Sequence, residues 1–155
     1  MAAKDNYYPA FDQFKKLSKK GNLIPVYREI FADMETPVSA FKKLNTVDHC
    51  FLLESVEGGE KWARYSFLGF NPSTIFKSKG SRVEVVADGK TTVTITPDPL
   101  SLLKALMKQY CPVEVPGLPR FFGGAVGYIS YDMVRFFENL PAGSEDDLNW
   151  YDAYL

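Results

Sequence analysis

Histidine and cysteine are nearly missing from this chain of 155 residues, which has one histidine, His49, and two cysteines, Cys50 and Cys111. A structural zinc site needs four Cys or His ligands at close spacing, and three candidates, two of them adjacent, cannot supply it. Any Ser-His-Asp or Cys-His machinery would have to run through His49, which stands before an apolar run and reads as an ordinary packed or surface residue. The two thiols read as small buried hydrophobes rather than as a disulfide. Charge of one sign is also lacking, since 18 Lys and Arg stand against 19 Asp and Glu, for a net charge of −1. A nucleic-acid footprint needs a localised cationic excess, so that class of partner is excluded. No stretch reaches the ~20 apolar residues that span a bilayer, and Met1-Ala2-Ala3-Lys4-Asp5 lacks the basic-then-apolar order of a secretory signal. The expectation is a cytoplasmic chain with no membrane association.

What is present suits a single domain over residues 1–155, with 46% hydrophobic and 24% charged residues and a length near the common domain size of about 100–150 residues. Residues 8–19 carry Phe11, Phe14 and Leu17 at helical spacing with lysines in the last turn, and Gly21 is expected to cap that helix. Residues 22–31, interrupted by Pro25, read as an edge strand or extended connector. Thr36-Pro37 pairs an N-cap with proline at the first helical position, opening a short helix with Val38, Phe41 and Leu44 on one side. From Cys50 the pattern turns to strands, Cys50-Phe51-Leu52-Leu53 and Ala63 through Gly69, joined by a polar loop with Gly58-Gly59. Residues 82–95 alternate around Asp88-Gly89 as a hairpin with a two-residue turn. Asp98-Pro99 opens a third helix carrying Leu100, Leu103, Leu106, Met107 and Tyr110. After a proline-rich connector, residues 121–131 read as a buried, glycine-dense strand, and 132–140 as a short helix before an acidic loop at 145–147. Helices and strands do not alternate regularly, so the class is α+β with a largely antiparallel sheet and flanking helices. The chain stops in an aromatic run, Trp150-Tyr151-Asp152-Ala153-Tyr154-Leu155. That is expected of a truncated piece, whose last residues would lack ordered partners or pack on another copy.

Two places invite chemistry. Gly123-Gly124-Ala125-Val126-Gly127 has no following Lys and not the dinucleotide spacing, so close backbone approach or a bulge is the better reading than a phosphate loop. Glu54-Ser55, with Lys61 and Arg64 beyond the glycine turn, brings both signs of charge into one hairpin. A free amino acid needs that combination, with an anion for its ammonium, donors for its carboxylate and apolar walls for its side chain. Solvated hairpin ends would show the same pattern.

Three blocks in order make a family recognisable: Leu52-Leu53-Glu54-Ser55, then Trp62-Ala63-Arg64-Tyr65-Ser66-Phe67-Leu68-Gly69, then Gly123-Gly124-Ala125-Val126-Gly127-Tyr128 with Tyr131-Asp132 and Arg135. Together they resemble the N-terminal region of anthranilate synthase component I, from Ile24-Pro25-Val26-Tyr27 to Phe137-Glu138. The resemblance implies part of a two-lobed α+β sandwich that, as a full-length carbon–oxygen lyase, converts chorismate to anthranilate with Mg²⁺. Its ammonia comes from glutamine through a partner amidotransferase subunit, component II. Chorismate and metal would be held by a C-terminal lobe, leaving this piece without catalytic residues or cofactor and inactive by itself. It would contribute to an allosteric feedback site for L-tryptophan, which carries over to Leu53, Glu54, Ser55 and Lys61. Glu54 or nearby carbonyls would hold the ammonium, Ser55 would bond the ligand or lock the strand, and apolar neighbours would cover the indole. Two other readings stand beside this one: aminodeoxychorismate synthase component I, which has a similar N-terminal region, and a structural scaffold that binds nothing.

Overall fold

A computed structural model describes residues 7–44, 48–54, 65–141 and 146–155, and they divide into two compact units. The first comprises Met1–Phe31 and Leu100–Gly124, the second Ala32–Pro99 and Ala125–Leu155.

In the first unit, α1 spans Phe11–Leu17, and Lys15 and Lys16 stand in its last turn, where the helix dipole favours cations. It begins three residues later than the sequence suggests because Tyr8 is engaged elsewhere. The Tyr8 and Tyr27 amides and carbonyls exchange two hydrogen bonds at 2.7 Å, and their rings stack at 5.6 Å. Gly21 does not cap the helix. Ser18 closes it, and a Cβ on Gly21 would lie 2.3 Å from the Cys111 carbonyl oxygen. The glycine is therefore there for close approach, which Asn22 secures by donating from Nδ2 to the Gln109 carbonyl at 2.7 Å and accepting the Cys111 N–H at 2.6 Å. Residues 22–31 form no regular strand: Leu23 makes an isolated bridge to Pro112 and Tyr27 one to Tyr8, and Val113 and Val115 are buried. Helix α3, Pro99–Met107, half-buries Leu102, Leu103 and Leu106 and exposes Lys104 and Ala105.

The second unit opens with α2, Pro37–Leu44. Thr36 Oγ1 accepts the Ser39 N–H at 3.1 Å while Ser39 Oγ accepts the Thr36 N–H at 2.9 Å, a reciprocal capping box with serine in place of the usual Glu or Gln. Hydrogen bonds from Lys43 and Ser39 hold the Glu35 carboxyl below the usual carboxylate range. Phe41 and Leu44 are half-buried, whereas Val38, expected beside them, is 58% exposed. Helix α2 lies against a two-stranded antiparallel hairpin, β1 (Cys50–Glu54) with β2 (Ser66–Phe70).

A separate five-stranded antiparallel sheet has the order β5-β4-β3-β7-β6. Its strands are β3 (Thr74–Lys79), β4 (Arg82–Ala87), β5 (Lys90–Ile95), β6 (Tyr128–Ile129) and β7 (Ala153–Tyr154). The β4–β5 turn is the expected one, with Asp88 and Gly89 at φ values of 50° and 70°, a primed turn whose twist matches the strands. Pairing of Ser78 with both Val83 and Ala153 puts these three residues on one face together with Phe76. All four are buried, and Met133, 2% exposed on the 3₁₀ helix Tyr131–Phe136, covers them.

Two expectations change in this sheet, and one of its strands was not foreseen. Strand β3 was not legible, because its outward residues include Lys77 and Lys79 and one of its inward residues is Ser78. The glycine-dense run 121–131 is not one buried strand: Phe121 and Phe122 are exposed, and only Tyr128–Ile129 pairs. Glycine offers little side chain to bury, and here it serves approach instead, since a Cβ on Gly127 would lie 1.9 Å from the Tyr154 carbonyl oxygen. The final residues are ordered within the sheet rather than partnerless. Leu155 and Phe76 exchange two backbone hydrogen bonds at 2.9 Å, and β7 runs between β3 and β6 with Ala153 fully buried.

Candidate functional site

The hairpin end that the sequence singles out is built by register. Glu54 faces Ser66 across the ladder and Leu53 faces Phe67. Side chains alternate along a strand, so Glu54 shares a face with Leu52, Ser66 and Leu68, while Leu53 shares the other with Phe51 and Phe67. The carboxylate and the Leu53 side chain thus lie on opposite faces of the same strand end. On the Leu53 face, Tyr65 and Phe67 rings meet at 6.0 Å, and Leu53 is 46% exposed beside them. On the other face Glu54 and Ser66 are exposed, with Leu52 and Leu68 half-buried behind them. Among the described residues the Glu54 side chain has no hydrogen-bond or ion-pair partner.

Chemically, the acid face offers a carboxylate, a neighbouring hydroxyl and an aliphatic floor, which suit an ammonium group with a short apolar stem. The other face offers two aromatic rings, tilted by 32° to one another, against which an apolar ring can pack. Ser55, Lys61 and Arg64 lie outside the described residues. What sequence reasoning did not single out is Ser66, which comes opposite Glu54 only through the strand register.

A second cluster surrounds His49, just before β1. Its Nε2 is 2.7 Å from the Tyr154 hydroxyl, and the two rings stack at 6.1 Å and 8°. Tyr154 also stacks on Tyr128 at 6.3 Å, and the Lys77 ammonium sits 5.1 Å from the Tyr154 ring centre. His49 is half-buried, so the packed reading of it holds. Elsewhere in the unit, Asp146 holds Lys79 above the usual lysine range, and Lys79 holds the Asp146 carboxyl below the usual carboxylate range, through one hydrogen-bonded ion pair. Among the described residues no three His, Cys, Asp or Glu side chains converge as metal ligands, and no helix is long and apolar enough to cross a membrane.

No family model matches the chain. Curated relatives do. It is 45% identical over 142 residues to anthranilate synthase component 1 of Acetivibrio thermocellus, covering 92% of this chain and 29% of that protein. To the protein of the same name from Aquifex aeolicus it is 42% identical over 147 residues, 94% of this chain and 30% of the relative. To that of Synechocystis it is 42% identical over 131 residues, 84% and 26% respectively. The chain therefore spans under a third of the length of these relatives and matches their N-terminal part.

Proposed function

Because the chain belongs, over the part it spans, to the anthranilate synthase component 1 family, we propose that it is the regulatory N-terminal region of an enzyme that makes anthranilate and pyruvate from chorismate and ammonia. On this reading the chain serves tryptophan biosynthesis, and L-tryptophan inhibits by binding at the β1 end. A glutamine amidotransferase subunit supplies the ammonia, and the remainder of the enzyme, a chorismate-binding lobe, carries the chemistry. On this reading magnesium would be held by that lobe too, and no step is assigned to a metal here. The setting is the cytoplasm.

The identity of 45% over 92% of the chain carries this reading. For the inhibitor site the supporting observation is Glu54, an acid exposed at a strand end without a competing partner among the described residues, with the Ser66 hydroxyl opposite. Glu54 would take the ligand ammonium. Ser55 and Lys61 would take the carboxylate side, and Leu53, Tyr65 and Phe67 an apolar ring that passes around the strand edge. Inhibition is then a population shift, in which the ligand binds an inactive arrangement more tightly than the active one.

The test is tryptophan inhibition of the complete enzyme carrying this region. Glu54→Ala and Ser55→Phe are each expected to raise the half-inhibiting tryptophan concentration by about tenfold or more, within the usual range of allosteric coupling, with kcat unchanged. Inhibition at an unaltered concentration in both variants overturns the site. Formation of aminodeoxychorismate in place of anthranilate overturns the assignment of the reaction.

A further inference from the structure

Strand β5 stands at one edge of the five-stranded sheet and among the described residues pairs on one side only, with β4. All of its residues, Lys90–Ile95, are exposed. Which backbone groups it leaves open follows from the ladder. Thr96 donates its N–H to the Ser81 carbonyl at 2.8 Å, and along an antiparallel pair the bonding residues alternate. Thr94, Thr92 and Lys90 therefore turn their amides and carbonyls toward β4, whereas Thr91, Val93 and Ile95 turn theirs outward, in the plane of the sheet.

An open edge is usually blunted by proline, by a bulge or by a charge in mid-strand. Strand β5 has none of these. Its register with β4 is unbroken from Arg82↔Ile95 to Ala87↔Lys90, and its one charge stands at the first position. A peptide bound to such an edge is read through pockets for alternate side chains, and a row of exposed side chains offers none. A second β5 needs none. Two copies related by a two-fold axis at Val93 place Val93 opposite Val93 and Thr91 opposite Ile95, so that each outward amide meets an outward carbonyl. In that register Lys90 falls opposite Thr96, no like charges face each other, and a net charge of −1 leaves little repulsion between copies. Val93 and Ile95, 49% and 70% exposed, then gain neighbours across the axis. We propose that β5 is a self-pairing edge, through which two copies of this chain join their five-stranded sheets into one continuous antiparallel sheet.

The contact is one strand wide, below the ~1,200 Å² of stable interfaces, so the pairing is weak and is read against concentration. Sedimentation of this chain is expected to give a monomer at micromolar and a dimer at about millimolar concentration. Over the same series, amide exchange at Thr91, Val93 and Ile95 should slow by about tenfold once about nine tenths of the chain is paired, while Thr92 and Thr94, already bonded to β4, stay unchanged. Val93→Pro removes an outward N–H and no bond to β4, and Val93→Lys sets two lysines against each other on the axis. Both variants should remain monomeric where the parent pairs. A parent chain that is monomeric throughout, or variants that pair as the parent does, overturn the proposal. In the complete enzyme, exchange at these three amides that is slow at every concentration assigns the edge to another part of the same polypeptide and overturns it as well.

Discussion

At the scale of single residues, the five-stranded sheet depends on a few side chains that composition does not advertise. Ser78 is fully buried, and its hydroxyl reaches the Met133 sulfur at 3.9 Å, a weak acceptor at long range. Met133 thus both caps the apolar face and partners a buried hydroxyl. Met133→Ala should cost about 2–5 kcal/mol, as large-to-small changes in a closed core do, and a denaturant midpoint measured on the variant checks it. A change near zero would mean that the 3₁₀ helix does not cover the sheet. The candidate site shows the limit of reading residues singly. That Glu54 and Leu53 belong together was visible as a motif, but their placement on opposite faces follows only from strand alternation, and the Ser66 partner only from the register.

At the scale of elements, what the sequence made legible is what local chemistry decides alone. The β4–β5 hairpin follows from alternation plus Asp88-Gly89, and α2 from Thr36-Pro37, since turn and cap residues act within a few positions. Strands β3 and β7 escaped because their identity rests on partners far away in the chain: Lys77 of β3 lies over the Tyr151 and Tyr154 rings. Lys79 is bound to Asp146 and to the Trp150 carbonyl, tying β3 to the segment that leads into β7. This ion pair makes a pH prediction with two signs. The Asp146 carboxyl is lowered, chiefly by the Lys79 hydrogen bond, so its contribution is present above the unfolded carboxylate value and is lost as pH falls through the folded one. Lys79 is raised, chiefly by the Asp146 hydrogen bond, so its contribution is present below the unfolded lysine value and is lost as pH rises through the folded one. The pair therefore acts between those limits. Asp146→Asn should flatten the stability profile at both ends, in denaturation midpoints followed across pH, and an unchanged profile would show the pair to be idle. Both groups are exposed, so the effect should also shrink as salt is added.

At the scale of the whole molecule, the fold class was legible and the chemistry was not. Antiparallel pairing with separate helices was readable from element order, whereas the reading of the reaction comes from kinship to proteins more than three times as long as the stretch matched. Within the described residues, the titratable groups with displaced values, Glu35, Lys79 and Asp146, are surface ion-pair members held by their partners and are not gathered in a cleft. The proposed division of labour then has a direct consequence. This chain, given chorismate, ammonium and magnesium at millimolar levels, should produce no anthranilate by its fluorescence, while the complete enzyme does so under the same conditions. Turnover by the chain alone would place the chemistry inside residues 1–155 and refute the assignment of a regulatory role to them. Silence from the chain together with tryptophan-sensitive turnover by the complete enzyme is the outcome the proposal requires, because only then do the sensing surface and the reacting centre reside in different parts of the protein.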